Sequence, residues 1–143
     1  MSMWYSIHIT LDAKPSLENI EHILQKVTDN GSTLQKQNFD IKKGESYLTI
    51  DPKSAALLIF DAMKVEDKFD DASYSGVLTN YEKTSCALMF HEKENNLEVS
   101  ISLLTDIKKR HNDRWSPDFA YYIKFLLMAC EDFYIVKIET IAT

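Results

Sequence analysis

His8 and Thr10 stand two residues apart in a run, Met3 to Leu11, that alternates between apolar and polar side chains. On an extended strand a spacing of two puts both side chains on one face. An imidazole beside a hydroxyl is a proton-transfer pair, because histidine takes up or gives back a proton near neutral pH. Three further clusters carry chemistry. His91, Glu92 and Glu94 are metal-ligand types, but ligands on a strand need a spacing of two, and here His91 shares its face with Lys93, so the segment reads as a charged turn. Lys108, Lys109, Arg110, His111 and Arg114, beside Trp115, include both arginines and suit a phosphate or single-stranded nucleic acid. A net charge of −6 opposes that contact and favours a charged loop between a strand and a helix. Asp61, Glu66, Asp67, Asp70 and Asp71 concentrate negative charge that Lys64 and Lys68 dilute only in part, with Tyr74 and Tyr81 on the flank. Such a segment is either a solvated loop or a landing patch for a basic protein.

His8-Ile9-Thr10 resembles one half of the two-histidine phosphoesterase signature, in which two H-x-[ST] motifs face each other and one histidine acts as base, the other as acid. The resemblance covers three residues and implies a small phosphoesterase or hydrolase centred on His8 and Thr10. The remaining histidines, in His22-Ile23-Leu24, His91-Glu92-Lys93 and His111-Asn112-Asp113, do not supply the second motif.

Cofactor chemistry has little to stand on. The three glycines, Gly31, Gly44 and Gly76, are far apart, so neither a G-x-G-x-x-G nor a P-loop motif exists to close backbone N–H groups on a phosphate. No Ser/His/Asp or Cys/His motif is visible, although a triad scattered along the chain would leave no local trace. The expectation is that the protein uses no cofactor and no metal. Cys86 and Cys130 sit among apolar neighbours and read as buried free thiols. The first residues, Met1-Ser2-Met3-Trp4-Tyr5, lack a basic leader region, and the longest apolar stretch, around Ile123 to Cys130, is short of the ~20 residues that span a bilayer. Cytoplasmic residence is the default expectation.

The elements that must position these residues are announced locally. With 143 residues, 45% of them hydrophobic and 27% charged, the composition fits one globular domain, 1–143, with a core that needs no metal or disulfide. Pro15-Ser16, Asp51-Pro52 and Ser116-Pro117 each mark a helix start. The first helix runs about Leu17 to Thr28, with Leu17, Ile20, Ile23, Leu24 and Val27 as its apolar stripe and Asn30-Gly31 as its stop. The second runs about Pro52 to Lys64, with Ala55, Leu58, Ile59, Ala62 and Met63 inward. The third, about Pro117 to Glu131, is apolar over most of its circumference and is expected to be the central, most buried helix. Met3–Leu11 and Leu97–Leu103 alternate as strands, and a hairpin joins the latter to Thr84–Phe90 across Glu92–Asn96. Weaker strands fall near Leu34–Ile41, Ser46–Ile50, Tyr74–Asn80 and Tyr134–Thr140.

Strict alternation implies antiparallel strands with one packed face and one wet face. The predicted fold is therefore α+β: a two-layer sandwich, mainly antiparallel, of about five to seven strands covered by three helices. The wet face would carry Trp4, Ser6, His8, Thr10, Glu98, Ser100, Ser102, Lys137 and Glu139. Trp4 there suggests a partner, a covering loop or a sheet covered on both sides.

A small acidic domain without a catalytic motif points to a non-catalytic protein-binding module. In general character it is like a bacterial immunity protein that occludes the active site of a basic toxin, such as a nuclease, and no residue motif identifies such a family. Asp61, Glu66, Asp67, Asp70, Asp71, Tyr74, Tyr81 and Trp4 would form the contact, with a protein partner and neither nucleic acid nor membrane. The alternatives are the His8 hydrolase and a small-ligand site beneath the third helix at Tyr121, Tyr122 and Phe125.

Overall fold

The structure, a computed structural model, describes residues 5–64, 76–81, 84–103, 108–111 and 114–142. Along the chain lie β1 (Tyr5–Leu11), α1 (Leu17–Asp29), β2 (Leu34–Asp40), β3 (Gly44–Thr49), α2 (Pro52–Lys64), β4 (Gly76–Tyr81), β5 (Thr84–Lys93), β6 (Asn96–Ser102), β7 (Lys108–His111), β8 (Arg114–Pro117), α3 (Phe119–Ala129) and β9 (Ile135–Ala142). Seven strands form one sheet in the order β3-β2-β4-β5-β6-β1-β9, while β7 and β8 pair separately. Every pairing is antiparallel. The class is α+β, as the alternation predicts.

Register explains the core. Ile9 lies opposite Val99 and Val99 opposite Phe90, while Ile7 lies opposite Ile101 and Ile101 opposite Leu88. These rows run across the three central strands on one face, and all six side chains are buried. Residues directly opposite in an antiparallel pair share a face, so alternation in one strand matches alternation in the next.

The helices cover that face. Ser16 caps α1 by accepting a hydrogen bond from the Asn19 backbone N–H at 3.2 Å, and Ile20, Ile23, Leu24 and Val27 are buried. Gly31 follows at φ +92°, a left-handed conformation that glycine adopts without a Cβ penalty, and Ser32 N–H donates back to the Val27 carbonyl. The middle helix of the layer is α1, which packs against both α2 and α3. This corrects the expectation for α3. Its apolar composition reflects a broad contact with β6 and β1, yet Ala120, Lys124 and Leu127 still face outward.

Three more local expectations change. The third helix begins at Phe119, capped by Asp118, whose carboxylate accepts from the Tyr121 N–H at 3.3 Å; Ser116 and Pro117 end β8 instead. The basic run expected as a loop forms the β7–β8 hairpin, with Arg110 opposite Trp115 and His111 opposite Arg114. The β5–β6 turn is also tighter than expected. Only Glu94 and Asn95 form it, both at positive φ, as a two-residue hairpin requires if its twist is to match the strands.

Candidate functional site

The face of the sheet away from the helices carries a hydrogen-bonded network spanning four strands. Ser6 and His8 come from β1, Lys93 from β5, Glu98 from β6, and Lys137 and Glu139 from β9. His8 Nδ1–H donates to Glu98 Oε1 at 3.1 Å, and Ser6 Oγ–H donates to His8 Nε2 at 2.8 Å. The carboxylate, which can only accept, fixes the tautomer and leaves Nε2 as the basic nitrogen. Lys93 Nζ lies 3.7 Å from Glu98 and donates to Glu139 at 2.8 Å, and Lys137 Nζ lies 3.4 Å from the same Glu139 oxygen. Adjacent strands are about 4.8 Å apart, so Lys93 must extend along the sheet over β6 and β1 to reach β9.

This arrangement modifies the picture of a wet face. Thr10, Glu98 and Ser100 are buried, and His8 is largely so. A buried carboxylate is tolerable because His8 and Lys93 both engage it. Burial holds the His91 imidazole below its ordinary range and outweighs the opposing pull of Glu98. The Glu139 carboxyl is held low chiefly by its hydrogen bond from Lys93, then by Lys137.

His8 therefore has a carboxylate on one ring nitrogen and a hydroxyl on the other. The hydroxyl is that of Ser6, not Thr10, which register sets opposite Glu98 and Lys137. Alternation sets Ser6, His8 and Glu98 on one face in the sequence; that Glu98 lies within reach of His8 follows only from the register of β1 with β6.

The expected partner-binding residues are only partly placed. Glu66, Asp67, Asp70, Asp71, Tyr74 and Trp4 lie outside the described residues. Tyr81 ends β4, opposite Thr84. Asp61 is exposed on α2, on an outward stripe with Ser54, Leu57, Leu58 and Lys64. Leu57 is 50% exposed and Leu58 43%, so Leu58 does not point inward as expected. Ala55, Ala56 and Ile59 supply the buried side, and two alanines let the helix sit close enough that the leucines are not needed there.

Of the residues proposed for a ligand site under α3, Tyr122 and Phe125 are fully buried members of the core, and Tyr121 stacks edge-on against Tyr122. An open pocket of about 350 Å³ lies elsewhere, lined by Pro15, Phe60, Met63, Lys64 and Glu92, and the Lys64 ammonium sits 4.2 Å above the Phe60 ring. Burial pushes the Cys130 thiol up to about 12, which keeps it protonated at neutral pH, and Cys86 is likewise buried. Among the described residues no three His, Cys, Asp or Glu side chains converge on a point where a metal ion could sit, and no helix is long and apolar enough to cross a membrane. No protein family, curated protein or solved structure gives a significant match to the chain.

Proposed function

We propose that the protein is a protein-binding module of the immunity type, which captures a basic toxin domain and blocks its active site. The observation that carries this reading is the outward stripe of α2, where Leu57 and Leu58 are exposed beside Asp61. An apolar pair rimmed by charge has the make-up of an interface core with its rim. In sequence the stripe runs on into Glu66, Asp67, Asp70 and Asp71, so the apolar contact and the steering charge belong to one stretch of chain. Acidic residues there would speed encounter with a basic partner, and the leucines would hold it. The test is to sequence the gene next to this one and, where it encodes a secreted protein, to measure binding of the full chain to that protein's C-terminal domain. Salt-sensitive binding is expected, weakened more than about tenfold by Leu58→Asp with Asp61→Lys, a loss of roughly 1.4 kcal/mol or more. Unchanged affinity in that double variant would remove α2 from the interface.

A second reading, a small hydrolase, is favoured by one observation: the Ser6–His8–Glu98 relay. In that reading Ser6 Oγ attacks the carbonyl carbon of an ester while His8 Nε2 takes the hydroxyl proton and returns it to the leaving alcohol. Nε2 then takes a proton from water as the water attacks the acyl-serine, and gives it back to Ser6 Oγ as the acid leaves, with Glu98 steadying the imidazolium each time. Turnover of p-nitrophenyl acetate, lost in both Ser6→Ala and His8→Gln, is the expected result under this reading. Rates equal to buffer alone would end it.

A further inference from the structure

One edge of the sheet exposes apolar side chains. Strand β9 pairs with β1 along one side and ends the sheet on the other. Tyr134 is 78% exposed, Val136 57%, Ile138 46% and Ile141 40%. An edge strand presents unpaired N–H and C=O groups at every second residue, and natural proteins usually blunt such an edge with charge, proline, a β-bulge or a covering element. Strand β9 has one irregularity at its start, where its register with β1 shifts between Thr10 and Leu11, and runs regularly from Lys137 onward. Here the charged residues at the centre, Lys137 and Glu139, are of opposite sign and flank an isoleucine.

We propose that β9 pairs with β9 of a second copy of this chain, antiparallel about a two-fold axis through Ile138, so that two seven-stranded sheets become one continuous sheet. The register follows from symmetry and charge. To keep both helix layers on the same side, the two-fold must stand perpendicular to the sheet and pass through a residue of the strand. Through Ile138, each Lys137 lies directly opposite the second copy's Glu139, giving two reciprocal pairs of opposite charge. Through Lys137 or Glu139, that residue faces its own copy, and like charges directly opposite are destabilising. Of all registers, only the one centred on Ile138 sets Lys137 opposite Glu139, so charge complementarity favours it over the rest.

The orientation of these side chains suits the pairing. Lys137 is set opposite Thr10 and Glu139 opposite His8, both on the polar face, where Lys93 and Lys137 already hold the Glu139 carboxylate. Ile138 is opposite Ile9, on the helix face, where it would meet its symmetry mate. A dimer built this way is isologous and closed, with one partner and no continuing fibre through β9. It leaves the outward face of α2 free, so it neither needs nor excludes the toxin-binding reading.

The test is sedimentation of the full chain at micromolar concentration, with folding of each variant checked by circular dichroism. A dimer is expected. Lys137→Glu should weaken it by about tenfold or more, because both cross-strand pairs become like-charged, and Glu139→Lys should do the same. Mixing the two single variants should restore dimerisation as a heterodimer, because 137 and 139 of one chain then face opposite charges on the other. The Lys137–Glu139 contact inside each chain stays broken, so a merely structural role would give no such rescue. Ile138→Cys should form a disulfide-linked dimer on mild oxidation, since directly opposed residues have Cα atoms about 4.5–5.5 Å apart, within disulfide range. Val136→Cys should not, and the native Cys86 and Cys130 are buried and do not compete. A monomer with no cross-link at position 138 would overturn the proposal. So would a dimer indifferent to the charge changes, or one lost instead on Tyr47→Asp in the opposite edge strand, β3.

Discussion

Histidine 8 shows how far a single residue can be read on its own. Its place on a strand, and the side it faces, follow from the alternation around it. Its chemistry depends on Glu98, ninety positions away, which arrives through the pairing of β1 with β6. Thr79 makes the complementary point. It is buried on β4, its register neighbours are Leu34 and Cys86, and its Oγ1 has no hydrogen-bond partner among the described residues. A buried hydroxyl without a partner keeps its desolvation cost and gains nothing in return. Thr79→Val retains the shape and removes the polar atom, so it should stabilise the fold by about 1 kcal/mol. In urea titration the midpoint should rise while the slope stays constant. A lower midpoint would mean that the hydroxyl is satisfied after all.

At the scale of elements, local signals fared best where they were self-contained. The Ser16 and Asp51 caps act as their residue types suggest, each side chain accepting from a backbone N–H three residues on. Ser16→Ala should therefore cost about 1 kcal/mol, and Ser16→Asp should cost less because the acceptor is kept. In thermal denaturation the alanine variant should melt about 3 °C lower for a chain of this size. A melting point unchanged in Ser16→Ala would mean the cap contributes nothing. The start of α3 lies later than expected because Ser116-Pro117 and Asp118 offer competing starts. The chain uses Asp118 and spends Pro117 at the end of β8, a position where proline's missing N–H is tolerated. Leu58 was assigned inward because helical periodicity cannot say how wide the buried stripe is. That width depends on how closely α2 approaches the sheet, a distance set by its alanines and its neighbours.

For the whole molecule, composition and periodicity determined the α+β class, the order of the main elements and the apolar face of each central strand. The physical reason is that burial on one side imposes a period of two on strands and of 3.6 on helices, and both are written into neighbouring residues. Only the tertiary structure decided that α1 lies in the middle of the helix layer, that β7 and β8 stand apart as a hairpin, and that β9 closes one edge. It also decided that residues from four strands meet in one polar network and that, among the described residues, β9 has a neighbouring strand on one side only. Those outcomes depend on strand order and register, which arise from contacts between segments far apart in the chain. No short window of sequence contains both partners of such a contact, so the chemistry that depends on it becomes legible only when the sheet is assembled.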